Sequence, residues 1–542
     1  MTIDSFYDDV DKNNYYLGLV SQVYKNSCVV QIENLTWLNE RRIRMEYLLP
    51  NTINYYVVID SAVGIVIGEV YQSKIQNSES IHNALIKSEH EKVFPEVSID
   101  IVGVMKNGES KFCPIGFYNV GLTDKVYIAN STVNENYLKS IELSRICDDY
   151  NDDRDRLESF AKVVNLANEE VRLYPETLFD RHLLAIGSTN SGKSTSSLTI
   201  IDKLMYSNKK VMIIDPTGEY AGSFKSAEMK KITLGDDTVL DTGKVSFSQW
   251  ATLFETNDST QPAVLAEAIK SLRFQAKIGN NEVYKKAGKK VADVAKDMES
   301  LDSEDTSFNI NLLSRQIAEE AVEVTKDMTT YQTGAFQFNN KQWLVQKVNY
   351  KLESAGLLDF FDSDKRKNNL LKMLDDFMSN KINSIYIDAS NIGIGDGVGA
   401  MIVDLISNYV INNKKKDNNA FVIFIDEVHR YSKDAQSGGY QTGLTAIARE
   451  GRKKGVFLFL TTQNPKDVSD ELLGQIGSLL VHRLTHKSEL DSIRNFLSES
   501  AFKQVPKLNQ GEAILTSINL LRDLHLRVDK CSRPHYNSTV QL

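Results

Sequence analysis

The chain has 542 residues, which at about 150 residues per domain corresponds to three or four folding units and excludes one small module. Hydrophobic residues make up 42% and charged residues 25%, a globular composition that excludes global disorder. With 63 Lys and Arg against 72 Asp and Glu, the net charge is −9 and the pI near 5.6, so a surface that coats nucleic acid everywhere is excluded and any DNA contact is local.

The first residues, Met1–Asn14, are acidic where a secretion signal would be basic and then apolar. The longest apolar runs, Phe421–Ile425 and Val456–Leu460, are strand-sized, so no membrane span is expected. Cys28, Cys113, Cys147 and Cys531 lie far apart without metal-ligand spacing, which fits a reducing, cytoplasmic setting. From Tyr15 to Ile141, short β-rich runs (Leu17–Val23, Cys28–Ile32, Tyr55–Ile59, Gly64–Val70, Ile99–Val104, Lys125–Ile128) alternate with Asn, Gly, Ser and Pro clusters. They predict a small antiparallel sheet or barrel, placed at residues 1–147. The acidic run Asp148–Asp155 predicts a linker, with residues 148–180 leading into the next unit.

From His182 the rhythm becomes strand, helix, strand: Leu183–Ile186, a helix from Lys193 to Met205, then Val211–Ile214. Apolar strands alternating with helices predict a parallel sheet buried on both faces. Between Trp250 and Lys381 the β signal gives way to helical periodicity, with Pro262 in a first turn and Val264, Leu265, Ala268, Ile269 and Leu272 at helical spacing. The alternation resumes with Ser384–Asp388, a helix near Val398–Ile411, and strands at Phe421–Ile425, Val456–Thr461, Leu479–His482, Glu512–Thr516 and His525–Val528. The α/β core therefore falls in two segments, 181–250 and 384–516, around a helical insertion at 251–383, with a tail at 517–542.

The segment Gly187-Ser188-Thr189-Asn190-Ser191-Gly192-Lys193-Ser194-Thr195 follows the first core strand and opens a helix, the context a phosphate-binding loop requires. Its two glycines let the chain curl so that backbone N–H groups and the helix N-terminus face phosphate oxygens. Lys193 would neutralise β/γ-phosphate charge and Ser194 would ligate Mg²⁺, which makes ATP and Mg²⁺ the expected cofactors. The strand Phe421–Ile425 then ends in Asp426 and Glu427 at the edge where α/β folds place ligands. Asp426 would support the metal and Glu427 would polarise the attacking water. A third acidic strand end, Asp215 with Glu219 in Asp215-Pro216-Thr217-Gly218-Glu219-Tyr220, either faces the same region or uses Asp215 to cap a turn built by Pro216 and Gly218. Downstream, Gln463 ends the strand Val456–Thr461 where it could sense the γ-phosphate, and Arg449 or Arg452 could act as an arginine finger toward a neighbouring subunit.

Together, GSTNSGKST, DPTGEY, FIDEVHRY and IAREGRKKGVFLFLTTQNP resemble the HerA ATPases of the FtsK–HerA group. The resemblance covers residues 180–250 and 384–516. It implies a RecA-like P-loop NTPase core preceded by a small β-barrel and interrupted by a helical insertion. It also implies a homo-hexameric ring that threads double-stranded DNA through a central pore as it hydrolyses ATP, and a nuclease or sirtuin-like effector partner, in anti-phage defence or DNA end processing. Matching segments assign Lys193, Ser194, Asp426, Glu427, Gln463 and Arg449 or Arg452 to the roles above. Thr217 stands where the family often has His. A ring-forming scaffold that regulates a partner without moving DNA is the competing expectation, and a secretion or conjugation ATPase of the same superfamily is disfavoured by the lack of membrane segments.

His482 and His486 sit four apart without a third ligand nearby, so a metal site is not expected there. The lysine runs Lys285–Lys290 and Lys414–Lys416 read as solvated loops or as phosphate-backbone contacts.

Overall fold

The structure, a computed structural model, describes residues 2–7, 11–43, 46–75, 86–87, 93–143, 156–164, 166, 169–256, 260–354, 356–361, 367–392, 396–431 and 442–534. The acidic run Asp148–Asp155 and Cys147 lie outside the described residues. The chain divides into two compact units, one of Met1–Asp180, Ala185–Ser207 and Gly477–Cys531, the other of Arg181–Leu184, Asn208–Ile476 and Ser532–Leu542.

In the first unit, strands Tyr16–Val23, Ser27–Gln31, Glu96–Lys106, Gly64–Lys74, Tyr56–Ser61 and Lys125–Ile128 pair in that order and close into a six-stranded barrel. Every pairing is antiparallel, including the last strand back onto the first. Register shifts at Val20/Gln22, Ile67/Gly68 and Val70/Gln72 mark the bulges that let so small a sheet bend shut. Val57, Val58 and Ile59 are all fully buried, so side chains on both faces of that strand are covered rather than alternating with solvent. The helix Ser131–Lys139, capped by the Asn130 side chain accepting from the Val133 N–H, brings the fully buried Tyr137 against Tyr56.

The same unit holds five strands in the order Glu169–Val171, Ala161–Val163, Leu524–Val528, Glu512–Ser517 and Ser478–Val481. All four pairings are antiparallel. Glu512–Ser517 and Leu524–Val528 are joined by a short turn, which permits only antiparallel pairing because a parallel neighbour needs a crossover of a dozen residues or more. In the turn, Arg522 lies between barrel carboxylates, 2.9 Å from Glu69 and 3.0 Å from Asp100, and fastens the barrel to these strands.

In the second unit, Val456–Thr462, Phe421–Ile425, Lys210–Asp215, Ile385–Asp388 and Lys230–Thr233 form a run of parallel strands in that order. The central ones are buried at every position, which is why they read as unbroken apolar runs. The registers pair Ile425 with Leu460 and Ile214 with Ile425, so three strands end level and their following residues share one edge.

The insertion is largely helical, as expected: Gln261–Lys277 buries Leu265, Ala268, Ile269 and Leu272, with Pro262 in its first turn. It is not free of β structure. Val322–Val324 and Tyr331–Thr333 form a hairpin. Strands of three residues, joined by a turn in which Asp327 accepts from the Thr325 and Thr329 hydroxyls, are too short to produce a period-two pattern.

Candidate functional site

The loop after Leu183–Ile186 has the backbone that its glycines predict. Gly192 has φ +107°, and a side chain there would meet the Gly511 amide at 2.9 Å. A Cβ on Gly187 would lie 2.4 Å from Ser191 Oγ and 2.7 Å from His482 Cβ, so only glycine fits. Asn190 is also left-handed, at φ 63°. From Lys193 the chain runs as a helix to Tyr206, and a helix start carries first-turn amides with no helical acceptor and a partial positive charge. Ser188 is turned elsewhere: its N–H and its hydroxyl both donate to the Arg483 carbonyl, at 3.1 and 3.0 Å. Ser188 therefore ties the loop to the neighbouring chain segment. The Gly511 N–H donates to the Ser191 carbonyl at 3.0 Å, a second tie of the same kind. Lys193 is buried.

His482 forms the floor of this loop. Its Nδ1 lies 2.9 Å from the Glu512 carbonyl, and because a carbonyl only accepts, Nδ1 carries the proton and Nε2 is a bare acceptor. Both His482 Nε2 and Ser191 Oγ are buried without a hydrogen-bond partner among the described residues. Burial, with the Lys193 charge adding to it, pushes the His482 pKa down to about 4, so the imidazole is neutral. The histidine pair weighed for metal binding is thus divided: His482 is packed under the loop, and His486 stands just before the helix Lys487–Ile493, with no capping bond from its side chain.

The acidic strand ends form one connected cluster in the second unit. Thr461 Oγ1 donates to Asp426 Oδ1 and accepts the Glu427 N–H at 3.0 Å, so one hydroxyl orients both acids. Tyr220, from the DPTGEY segment, donates its hydroxyl to Asp426 Oδ2 at 2.8 Å. Glu427 holds left-handed backbone, φ 47° and ψ 49°, which costs a non-glycine residue about 1 kcal/mol or more and persists only where its surroundings fix it. They do: Gln463 donates to the Glu427 carboxylate through its backbone N–H at 3.2 Å and its side-chain amide at 2.8 Å. His429 Nδ1 lies 3.2 Å from the same carboxylate. Gln463, expected as a phosphate sensor, is a hydrogen-bond donor to this acid.

Asp215 is fully engaged by its own turn and its neighbour. Its oxygens accept from the Thr217 amide and hydroxyl and the Gly218 and Tyr220 amides, and from the Tyr386 hydroxyl at 2.8 Å. Of the two readings of this residue, the geometry is that of the turn cap. Glu219 is half-buried in the same turn.

Arg449 and Arg452 lie on the helix Gly443–Lys454, and both are exposed. Arg449 pairs with Glu471. Behind this helix the buried His182 accepts the Leu458 N–H at 2.9 Å through Nδ1, so its Nε2–H donates to the Ala448 carbonyl at 3.0 Å. Burial pushes its pKa to about 4. Two lysines from the basic runs are not available as phosphate contacts: Lys286 is buried against Glu320 and Glu267 at 2.6 and 3.0 Å, and Lys414 is buried and donates to the Lys415 and Asn418 carbonyls.

Tyr220, Thr461, His429 and His482 were not assigned by the sequence motifs. Thr461 was within reach, since level strand ends put the residue after Leu460 beside the residue after Ile425. His482 carried no signal, because it comes to the loop through tertiary packing.

The chain matches the central domain of helicase HerA over residues 161–393 and the helicase HerA-like C-terminal domain over residues 407–520. A Methanocaldococcus jannaschii protein named "Probable helicase" is 24% identical over 386 residues, covering 68% of this chain and 66% of its own. The DNA double-strand break repair helicase HerA of Sulfurisphaera tokodaii is 24% identical over 379 residues, covering 67% of each chain. The match thus spans about two thirds of the length of these relatives. Among solved structures, the bacterial conjugative coupling protein TrwB aligns with 13% identity and a TM-score of 0.46 over 69% of this chain and 91% of that one. No described helix is long and apolar enough to cross a membrane.

Proposed function

Because the chain belongs to the HerA family of P-loop ATPases, we propose that it hydrolyses ATP and couples the hydrolysis to movement along double-stranded DNA as a homo-hexameric ring. The observation that carries this reading is Glu427, set in strained backbone at the end of a buried strand and clamped by Gln463 and His429. Strained backbone tends to cluster at functional sites, and α/β folds place ligands at the ends of their strands.

In this mechanism Lys193 and the helix-start amides bind and orient the β- and γ-phosphates of the substrate. Ser194 and Asp426 offer a hydroxyl and a carboxylate, hard oxygen donors that suit Mg²⁺. The metal, when bound, neutralises charge on the phosphate oxygens. Glu427 accepts a proton from the attacking water, and Gln463 keeps the carboxylate aimed. Thr461 sets Asp426 and Glu427 at a fixed spacing. Arg449 or Arg452, exposed on one helix face, supplies the finger to the adjoining subunit's site. An effector protein, a nuclease or a sirtuin-like enzyme, acts with the ring in DNA end processing or anti-phage defence.

The deciding experiment is steady-state ATP turnover with and without duplex DNA. Stimulation by DNA supports the translocase, and its absence together with stimulation by a co-encoded protein sinks it in favour of a scaffold that regulates its partner. One feature favours the scaffold reading enough to keep that arm: the barrel-bearing segment exposes Phe117, Tyr118, Leu122 and Tyr24, an aromatic surface suited to protein docking. Mixing Lys193→Ala with Arg452→Ala subunits tests the finger, with partial recovery of turnover expected from mixed rings.

A further inference from the structure

Within the second unit, away from the strand ends, a cavity of about 300 Å³ lies between the helices Phe247–Leu253 and Gln261–Lys277. Its walls are Phe247, Trp250, Ile269 and Leu301, with Lys270 and Arg273 supplying charge. Trp250 is fully buried, packed against Phe254, Phe308 and Phe361, yet its Nε1–H has no acceptor among the described residues. Arg273 Nε is likewise buried without an acceptor, and no carboxylate pairs with its guanidinium among the described residues. Burial alone lowers its pKa. Lys270, one turn earlier on the same helix, is exposed and forms no ion pair among the described residues.

Asp302 and Asp305 also border the cavity, but both are held by Lys277, at 3.2 and 2.7 Å. With Lys277 counted, three cations face two carboxylates, so the result is a pocket with one excess positive charge over an apolar wall. Desolvating a guanidinium without a counter-charge is costly, and so is burying a donor without an acceptor. Native folds keep such arrangements where a ligand completes them.

We propose that this cavity binds a small organic monocarboxylate, whose carboxylate accepts from Arg273 and Lys270 while its apolar stem lies against Phe247, Ile269 and Leu301. The class follows from the lining. The cations call for an acceptor with negative charge, the apolar wall calls for a stem, and one excess positive charge matches a monoanion better than a dianion such as phosphate. The inference stands apart from the nucleotide reading, since none of these residues belongs to the phosphate loop or the acidic strand ends.

Calorimetric titration of the full chain with 3-phenylpropionate, 3-phenylpropanol and inorganic phosphate tests the proposal. Saturable binding of the carboxylate is expected, with the alcohol at least tenfold weaker and no binding by phosphate that Arg273→Gln removes. Arg273→Gln weakens carboxylate binding at least tenfold, and Lys270→Gln, at an exposed position, weakens it several-fold. Without ligand, Arg273→Gln leaves the thermal midpoint unchanged or raised, because it removes an uncompensated cation. No saturable carboxylate binding in the millimolar range, equal affinity in both variants, phosphate binding as tight as that of the carboxylate, or a marked fall in the unliganded midpoint of Arg273→Gln would each overturn it.

Discussion

Replacing Gln463 by alanine removes one identifiable contact and leaves its neighbour in place. The side-chain amide donates to Glu427 at 2.8 Å, while the backbone N–H, which alanine retains, donates to the same carboxylate at 3.2 Å. A hydrogen bond to a charged acceptor contributes about 1.5–3 kcal/mol when buried, and Gln463 is exposed, so about 1–1.5 kcal/mol is the appropriate share here. If that contact aims the carboxylate in the transition state, kcat falls roughly tenfold. KM for ATP changes by less than about twofold, because the lost interaction is not one that holds the nucleotide. Gln463→Glu sets a second carboxylate against Glu427 in place of a donor and lowers kcat further. Initial-rate ATPase assays over a range of ATP concentrations separate the two parameters. An unchanged kcat with a raised KM would refute the orienting role and return Gln463 to direct phosphate contact.

Other consequences are as definite. Arg522→Ala leaves the buried Glu69 carboxylate without its 2.9 Å partner and lowers unfolding stability by about 3–5 kcal/mol; denaturant titration reads this, and a loss below about 1 kcal/mol would show that the pair is not what fastens the barrel. Gly187→Ala, whose Cβ would meet Ser191 Oγ at 2.4 Å, abolishes measurable nucleotide binding by fluorescent-analogue titration while the fold, read by circular dichroism, persists. His182 and His482, each with its pKa pushed down from 6.5 to about 4 by burial, stay neutral in the folded chain and take up protons on unfolding below pH 6.5. Their stabilising contribution is therefore complete above pH 6.5 and declines as pH falls toward 4, by on the order of 3 kcal/mol each; His482→Gln flattens that decline, and an unaltered slope would mean that the ring already titrates near its ordinary value.

Much of the site was legible because its chemistry is carried by local pattern. Gly187 and Gly192 sit where a close approach and a left-handed backbone require them, and the run Phe421–Ile425 is a strand buried throughout, as its unbroken apolar character implies. The strands Leu479–His482, Glu512–Thr516 and His525–Val528 were also legible as strands, yet their direction was not, because apolar periodicity is the same for parallel and antiparallel neighbours. The three-residue strands of the insertion hairpin fell below the length at which alternation can be seen. Contacts between segments distant in sequence were the least legible. Nothing near His482 indicates that it meets Gly187, and the Thr461 hydroxyl gains its role only when two strands of different origin end level. Asp215 shows the complementary case: the same acid-at-strand-end pattern that marks Asp426 and Glu427 here serves a turn, and only its hydrogen bonds separate the two.

The most direct test is a paired measurement of ATP affinity and turnover for the parent chain, Glu427→Gln and Lys193→Ala. Glu427→Gln is predicted to bind ATP with the parent affinity while its turnover falls by about 10²–10⁴, and Lys193→Ala to lose binding itself. Parent-like turnover by Glu427→Gln would contradict the assignment of that carboxylate as the group that readies water for attack.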